Sequence, residues 1–468
     1  MGKLSYVDSL YLSASSICVT GLSPVAISSL SFTTQWIILI LIQIGGLGII
    51  SFTVIIGFLI IKGISRNTKF TAFVTEAIDT RSDQMETSDV NRILISIVNI
   101  SLALEILGAI GLYIHVPDGA EGINDRWFFS LFTAVSSFNN AGLSITDDLS
   151  SLRFHPFSLG IVSGLVIFGG IGFPVIILLE KFLLTMLFRI VDRIEIVTET
   201  IMLQKTLKLG NIPKLLYFPT YLSAILETRI EAYNGHLRGE STRIQSRLLL
   251  YGSIVLLLCG AIGVYFLEKG NPHTLYPLSF IDRVANAFFI SVCSRTAGFA
   301  TLDLGNLNDA SVIIITVLMF IGGGPQGTAG GLKITTFILL MAYLKNVIQP
   351  SKPVMVFGEV VSKNSVAIAI RVYFLATVTL AGAFIVLGIM DQNQHSLHVI
   401  FFELISAFST VGFSLNLTSQ LGDFEKLIYA FVMYVGRVGI FTILIAATGH
   451  SGVPKMGETD DGVKIQVG

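Results

Sequence analysis

The sequence predicts an all-α integral membrane protein: a pseudo-fourfold array of helix, pore loop and helix repeats around one central pore, with the first helix of repeat 1 missing. Three observations carry that prediction. Charged residues make up 13% of the chain and hydrophobic residues 52%, where an ordinary soluble domain carries roughly 25% charge. Seven apolar runs, 34–61, 93–116, 156–187, 248–267, 312–344, 366–390 and 427–448, are long enough to cross a hydrocarbon core, which takes roughly 20 helical residues. Most telling, one short pattern occurs four times in the same orientation.

Each copy is a short apolar stretch, a tripeptide ending in glycine, and, 24 to 27 residues later, a small-residue patch inside a long apolar run. The first reads Cys18-Val19-Thr20-Gly21-Leu22, then Gly45-Gly46-Leu47-Gly48. The second reads Asn139-Asn140-Ala141-Gly142-Leu143, then Gly169-Gly170-Ile171-Gly172. The third reads Arg295-Thr296-Ala297-Gly298-Phe299, then Gly322-Gly323-Gly324, and the fourth Ser409-Thr410-Val411-Gly412-Phe413, then Gly436-Arg437-Val438-Gly439. Repetition divides the chain into repeat 1 (1–62), repeat 2 (63–188), a cytoplasmic connection (189–247), repeat 3 (248–346), repeat 4 (347–450) and a cytoplasmic tail (451–468).

Ahead of each tripeptide, 6–16, 126–137, 282–293 and 398–407 are too short to span and carry apolar residues at helical spacing. They read as re-entrant pore helices. Asp8 and Asp282 stand near two of the starts, where a carboxylate can accept from free helix N–H groups. Irregular backbone at membrane depth is tolerated only when buried in protein or lining a cavity, and glycine lets such a turn bring carbonyls close to an ion. Rings of carbonyls can replace a cation's hydration shell. Val19, Thr20 and Gly21, with Asn140, Ala141 and Gly142, Thr296, Ala297 and Gly298, and Thr410, Val411 and Gly412, are therefore the candidate residues to meet a potassium ion. A tight turn between apolar segments is the bland alternative, and four copies in phase weigh against it.

Basic residues sort by side. Twenty-one of the 30 fall in the stretches after the first, third, fifth and last runs, which by the positive-inside rule places the tripeptides outside and the C-terminus in the cytoplasm. Arg295, Lys333 and Arg437 stay within the apolar zone. The formal net charge of −1 argues for no acidic ligand, and no nucleic-acid partner is expected. Cys18, Cys259 and Cys293 lack the spacing of a disulfide framework or zinc site.

The contexts SICVTGL (16–22), SSFNNAGLS (136–144), SRTAGF (294–299) and SAFSTVGFS (406–414), with GGGPQGTAGGLKITTF (322–337) and GRVGIFT (436–442), carry a resemblance. The chain resembles the membrane subunit of the Trk/Ktr/HKT potassium transporter superfamily, nearest the Ktr-type translocating subunit. The resemblance implies potassium uptake across the plasma (inner) membrane through a four-glycine filter. It also implies a homodimer with one pore per subunit and a cytosolic ring of nucleotide-binding regulatory subunits. Serine in the first filter goes with sodium preference in that superfamily, and Gly21 stands there here. Members begin with a membrane helix ahead of the first pore loop, for which there is no room after Met1; truncation is the expectation.

By the same resemblance Gly322, Gly323, Gly324, Pro325, Gln326, Gly327, Thr328, Ala329, Gly330 and Gly331 form an intramembrane gating loop. Their proline and six glycines make a poor helix interior. A helix kink packed by small residues is the alternative. Arg437 at the matching depth of repeat 4 is costly unless paired or hydrated; it is expected to donate to loop carbonyls and hold the gate, to raise the barrier to a cation, or to anchor to a carboxylate. Lys333 is expected to mark the loop's cytoplasmic edge. Arg295 is expected to brace its pore loop, and Glu105 to accept from Asn139 or Arg295; two independent pairs are the alternative. Glu403 is expected at the outer vestibule. The GGLG and GGIG patches either thin the inner lining or pack helices.

No GxSxG, HExxH or phosphate-cradling GKS or GKT occurs, so no enzyme is expected and no cofactor beyond the transported potassium, with nucleotide on the partner subunit. Besides potassium uptake, the sequence leaves open a sodium-permeable or sodium-coupled transporter. A secondary transporter of an organic solute would show two-fold inverted repeats instead.

Overall fold

The computed structural model describes residues 4–63, 87–117, 123, 125–146, 148–172, 175, 185–189, 240–325, 327–350, 353–391, 394–439, 462–463 and 465–467, with 48–63, 87–96, 240 and 242 as backbone alone. The chain forms two compact units, 1–172 with 248–468, and 173–247; the architecture below is that of the first. The spans Arg66 to Arg92 and Arg189 to Arg247, read as the cytosolic surface, lie almost wholly outside the described residues, as do Gln326, Lys455 and Lys464.

Helices dominate the described residues. In order they are α1 (Tyr6–Ile17), α2 (Phe32–Gly63), α3 (Thr87–His115), α4 (Arg126–Phe138), α5 (Pro156–Gly170), α6 (Glu240–Glu268), α7 (Phe280–Cys293), α8 (Asp309–Phe320), α9 (Ile334–Ile348), α10 (Lys363–Met390), α11 (Leu397–Phe408) and α12 (Asp423–Val438). Three described stretches, Ile97–His115, Arg243–Glu268 and Lys363–Met390, are long and apolar enough to cross a membrane. The predicted run 312–344 is two helices, α8 and α9, separated by the small-residue loop. One element was not predicted: β1 (Met355–Val356) pairs antiparallel with β2 (Glu359–Val360), and Val463 adds a parallel bridge to Val361.

The four short stretches are helices α1, α4, α7 and α11, within two residues of their predicted bounds. Their caps differ from expectation. Ser5 Oγ accepts from Asp8 N at 3.0 Å, and Ser279 Oγ from Asp282 N at 3.3 Å. Each aspartate instead accepts from the capping serine's hydroxyl, at 2.8 and 2.7 Å. Serine wins because its short side chain reaches the third amide from the cap position. Asp8 also meets Lys426 Nζ of α12 at 2.7 Å, which ties the start of the first short helix to the fourth repeat. Asp125 caps α4 through the amides of Trp127 and Phe128.

These amphipathic helices sit at the centre of the unit. Phe129, Phe132 and Phe138 of α4, Phe289 of α7 and Leu404 of α11 are fully buried, while the long helices turn Ile106, Leu107, Val255, Ile262, Phe374 and Ile389 outward. An apolar exterior laid over an apolar core exposes more large hydrophobic side chains than a soluble surface carries, and it suits a lipid solvent.

Between α10 and α11, His395 Nδ1 lies 2.6 Å from Asp391 Oδ1, and its Nε2 lies 3.1 Å from Gln420 Oε1. Acceptors on both ring nitrogens, Asp391 first and then Gln420, raise the imidazole pKa above its usual value. This contact therefore stabilises the fold fully below about pH 6.5 and is lost as pH rises through the raised pKa. Unfolding temperatures at pH 5.5 and 8.5 are expected to differ less in His395→Gln than in the unsubstituted protein.

Candidate functional site

Each short helix ends by folding its next amides back on itself. Thr20 N donates to Ser15 O, Ala141 N to Ser136 O and Val411 N to Ser406 O, at 2.7 to 2.8 Å, while Ala297 N donates to Cys293 O at 2.9 Å. Hydroxyls reinforce the turns: Ser15 Oγ accepts from Gly21 N and Ser406 Oγ from Gly412 N, both at 3.1 Å, and Ser136 Oγ donates to Leu143 O at 2.7 Å. A serine six residues before the glycine recurs in three of the four copies, a signal that a residue-by-residue alignment of the repeats would have found. In the third copy Val292 takes that place, and Gly298 N donates to Cys293 O instead.

The consequence is a set of uncommitted carbonyls. Val19, Thr20, Asn140, Ala141, Thr296, Ala297, Thr410 and Val411 are all fully buried, yet none of their backbone oxygens accepts a protein hydrogen bond among the described residues. Buried carbonyls are normally paired. The backbone is also strained in phase: Val19, Asn140, Thr296 and Thr410 have φ of 56°, 58°, 89° and 50°, and the glycines two residues on have 65° to 100°. Positive φ in a non-glycine, above all a β-branched valine or threonine, is costly and concentrates at functional positions.

The four glycines close a cycle. A Cβ on Gly21 would meet Ala141 O at 2.6 Å, one on Gly142 would meet Ala297 O at 2.5 Å, one on Gly298 would strike Val411 O, and one on Gly412 would strike Thr20 O. Each turn thus abuts the next and the fourth returns to the first. All four glycines open on one cavity of about 400 Å³, lined also by Asp148, Asp303 and Asn416. The two aspartates were missed in the sequence because nothing local marks them. Both carboxylates border the cavity.

Beneath the turns lies the small-residue loop between α8 and α9. Gly324 N donates to Gly170 O at 2.9 Å and Thr328 N to Gly169 O at 3.1 Å, so the loop is pinned to α5. Arg437 of α12 donates through Nη1 to Thr328 O and through Nη2 to Gly45 O, the latter at 2.6 Å. No carboxylate pairs with it among the described residues. Lys333 Nζ donates to Ala329 O at 2.5 Å. Glycine is required where the loop meets the fourth turn, since a Cβ on Gly331 (φ 69°) would lie 2.9 Å from Ser409, and one on Gly330 would strike Thr410 Oγ1.

The other glycine patches pack against helix ends. A Cβ on Gly45, Gly169 or Gly436 would collide with the carbonyl of Ile17, Phe138 or Phe408 respectively. Helices α2, α5 and α12 therefore reach the C-terminal ends of the short helices α1, α4 and α11 at backbone distance, where partial negative charge gathers near the turns.

Glu105, fully buried on α3, accepts from Asn139 Nδ2 at 3.0 Å and from Gln43 Nε2 at 3.1 Å. The expected Asn139 partner is present; Arg295 lies elsewhere, its Nη2 donating to Gly322 O at 3.2 Å. Asn139 Nδ2 also donates to Gln43 Oε1 and Val135 O, so removing the carboxyl leaves the half-buried Gln43 Nε2 without its acceptor, which costs about 1–3 kcal/mol, and Glu105→Ala is expected to lower the detergent-solubilised protein's unfolding midpoint accordingly. Glu403 does not face the vestibule. It is fully buried and accepts from Ser414 Oγ at 2.9 Å, Leu415 N at 3.3 Å and Thr418 Oγ1. The short helix turns this residue inward, where it braces the segment leaving the fourth turn.

Apolar helices enclosing a ring of strained turns, with unpaired carbonyls at the ring and acids at its mouth, define a membrane transport protein rather than an enzyme. The chain belongs to the TrkH cation transport protein family, whose family model matches residues 2–212 and 215–452. It is similar to the Ktr system potassium uptake protein B of Bacillus subtilis, 31% identical over 451 residues, 95% of this chain and 86% of that protein. It is also similar to the potassium/sodium uptake protein NtpJ of Enterococcus hirae, 28% identical over 94% of this chain and 85% of that protein. The crystal structure of the potassium transporter TrkH from Vibrio parahaemolyticus shares the fold, with a TM-score of 0.61 and 16% identity, over 95% of this chain and 78% of that one.

Proposed function

We propose that this protein takes up potassium across the plasma membrane through a pseudo-fourfold pore, with Val19 to Gly21, Asn140 to Gly142, Thr296 to Gly298 and Thr410 to Gly412 as its selectivity filter. The observation that carries the reading is the set of eight buried carbonyls around the glycine cycle that have no hydrogen-bond donor among the described residues. A dehydrated monovalent cation supplies what those oxygens lack. The loop from Gly322 to Gly331, latched by Arg437, is the gate beneath them. The name of the Bacillus subtilis relative, a Ktr system component, supports a cytosolic regulatory partner, proposed as a nucleotide-binding ring on a homodimer whose C-termini are cytoplasmic. The repeat boundaries given above belong to the same proposal.

Two measurements test it. In detergent, potassium is expected to raise the unfolding temperature at concentrations where sodium and lithium do not, because an ion bound only by the folded state stabilises it. In proteoliposomes, potassium and rubidium flux is expected to exceed sodium flux, and Gly21→Ser to narrow that margin. Equal protection by all four ions would overturn the filter assignment. Sodium permeation is the second reading, favoured by the dual name of the Enterococcus hirae relative, and sodium protection equal to that of potassium would select it.

A further inference from the structure

Arg295 immediately precedes the third glycine turn and is buried, with a relative exposure of 7%. At the same place in the other copies stand Cys18, Asn139 and Ser409, none of them basic. No acid pairs with Arg295 among the described residues. Its Nη1 donates to Ser253 O at 3.5 Å and its Nη2 to Gly322 O at 3.2 Å. A guanidinium buried at membrane depth on two carbonyls is expensive, so packing alone is a poor reason for it.

Its partner is the neck of the loop. Gly322 N donates to Leu332 O at 2.9 Å, and Ile334 N to Gly323 O at 3.1 Å, so Gly322 closes the loop where the chain leaves α8 and re-enters α9. The Gly322 carbonyl points the other way, to Arg295. Beside this contact a cavity of about 20 Å³ is lined by Ser253, Arg295, Gly323, Gly170 and Val292. That is room for one water molecule, and two buried polar atoms of its lining residues, Arg295 Nε and Ser253 Oγ, have no partner among the described residues.

We propose that Arg295 is a positioning residue that couples the third glycine turn to the loop neck through Gly322, with one bound water completing its hydrogen bonds. The inference rests on the proposed filter and gate. Loop opening that swings Gly322 away withdraws the donor's anchor and loosens the backbone of Thr296 to Gly298. Gate and filter then exchange free energy through one side chain.

The test is a double-mutant cycle on the full chain, read as the potassium concentration that half-protects against thermal unfolding. Gly322→Ala pushes the neck aside, because its Cβ would strike Gly330 O, and it touches no filter residue. It is expected to raise the half-protecting concentration on the order of tenfold, the scale of one lost hydrogen bond to a charged group. Arg295→Gln is expected to do the same, and the double variant to be no worse than either single one, the mark of coupled sites. Multiplying effects, or an unmoved potassium concentration in Gly322→Ala, would overturn the coupling. If Arg295→Gln does not yield folded protein, Arg295→Lys serves in the same cycle, keeping the charge while losing the planar fork. Potassium that fails to protect the unsubstituted protein overturns both the filter reading and this one; protection with multiplying effects sinks the coupling alone.

Discussion

Gly298→Ala is expected to abolish the preference for potassium while leaving a folded protein. Two costs fall on this residue together. Its φ of 65° is one that alanine adopts at a penalty of roughly 1–2 kcal/mol, and its Cβ would strike Val411 O and lie 2.9 Å from Gly412 Cα. The neighbouring turn must move to admit it. A filter works by holding oxygens at one radius, and displacing the Val411 carbonyl changes that radius at the ring while the surrounding helix packing stays intact. The expected signature is an unfolding temperature lowered by about a few degrees without potassium, together with loss of the potassium-induced rise. A similar loss from Gly412→Ala follows, since its Cβ would strike Thr20 O. A substitution at Gly160, where a Cβ meets nothing within 4 Å, is the control expected to change neither quantity.

The four glycine turns were legible because membrane-depth backbone irregularity leaves few options, and glycine at a fixed phase marks them. The short helices came within two residues of their predicted bounds because three of the four start at a side-chain cap and all four end at a glycine turn. What the sequence hid was contact across repeats. Val19, Thr296 and Thr410 take positive φ against the preference of β-branched residues, which the sequence pattern does not announce. The inward turn of Glu403 is set by Ser414 and Thr418, fully 11 and 15 residues away, beyond any local pattern. The hairpin β1–β2 escaped because its two-residue strands carry no periodicity. Arg295 and Glu105 looked alike as buried charges, yet one engages the loop neck and the other a side-chain amide pair, a distinction of partner geometry that spacing does not encode.

Arg437→Ala is expected to raise potassium flux by roughly tenfold to a hundredfold without the regulatory partner. The two hydrogen bonds from Arg437, to Thr328 O in the loop and Gly45 O in α2, join elements of three repeats around the proposed pathway. Hydrogen bonds from a charged donor are worth about 1.5–3 kcal/mol each. If only the bond to Thr328 is lost when the loop moves, removing the side chain favours the open arrangement by that amount, a factor of about ten to a hundred. The same guanidinium also places positive charge below the ring, so its removal lowers an electrostatic barrier as well. Lysine separates the two contributions. Arg437→Lys keeps the charge but not the planar fork that spans Thr328 and Gly45, so a latch predicts flux rising toward the alanine level, whereas a barrier predicts flux near that of the unsubstituted protein. Potassium-to-sodium ratios are expected to hold in both variants, because Arg437 is tied to the loop and to α2 and bonds to none of the four turns. A ratio that collapsed in Arg437→Lys would place this side chain in the filter's support instead of the gate.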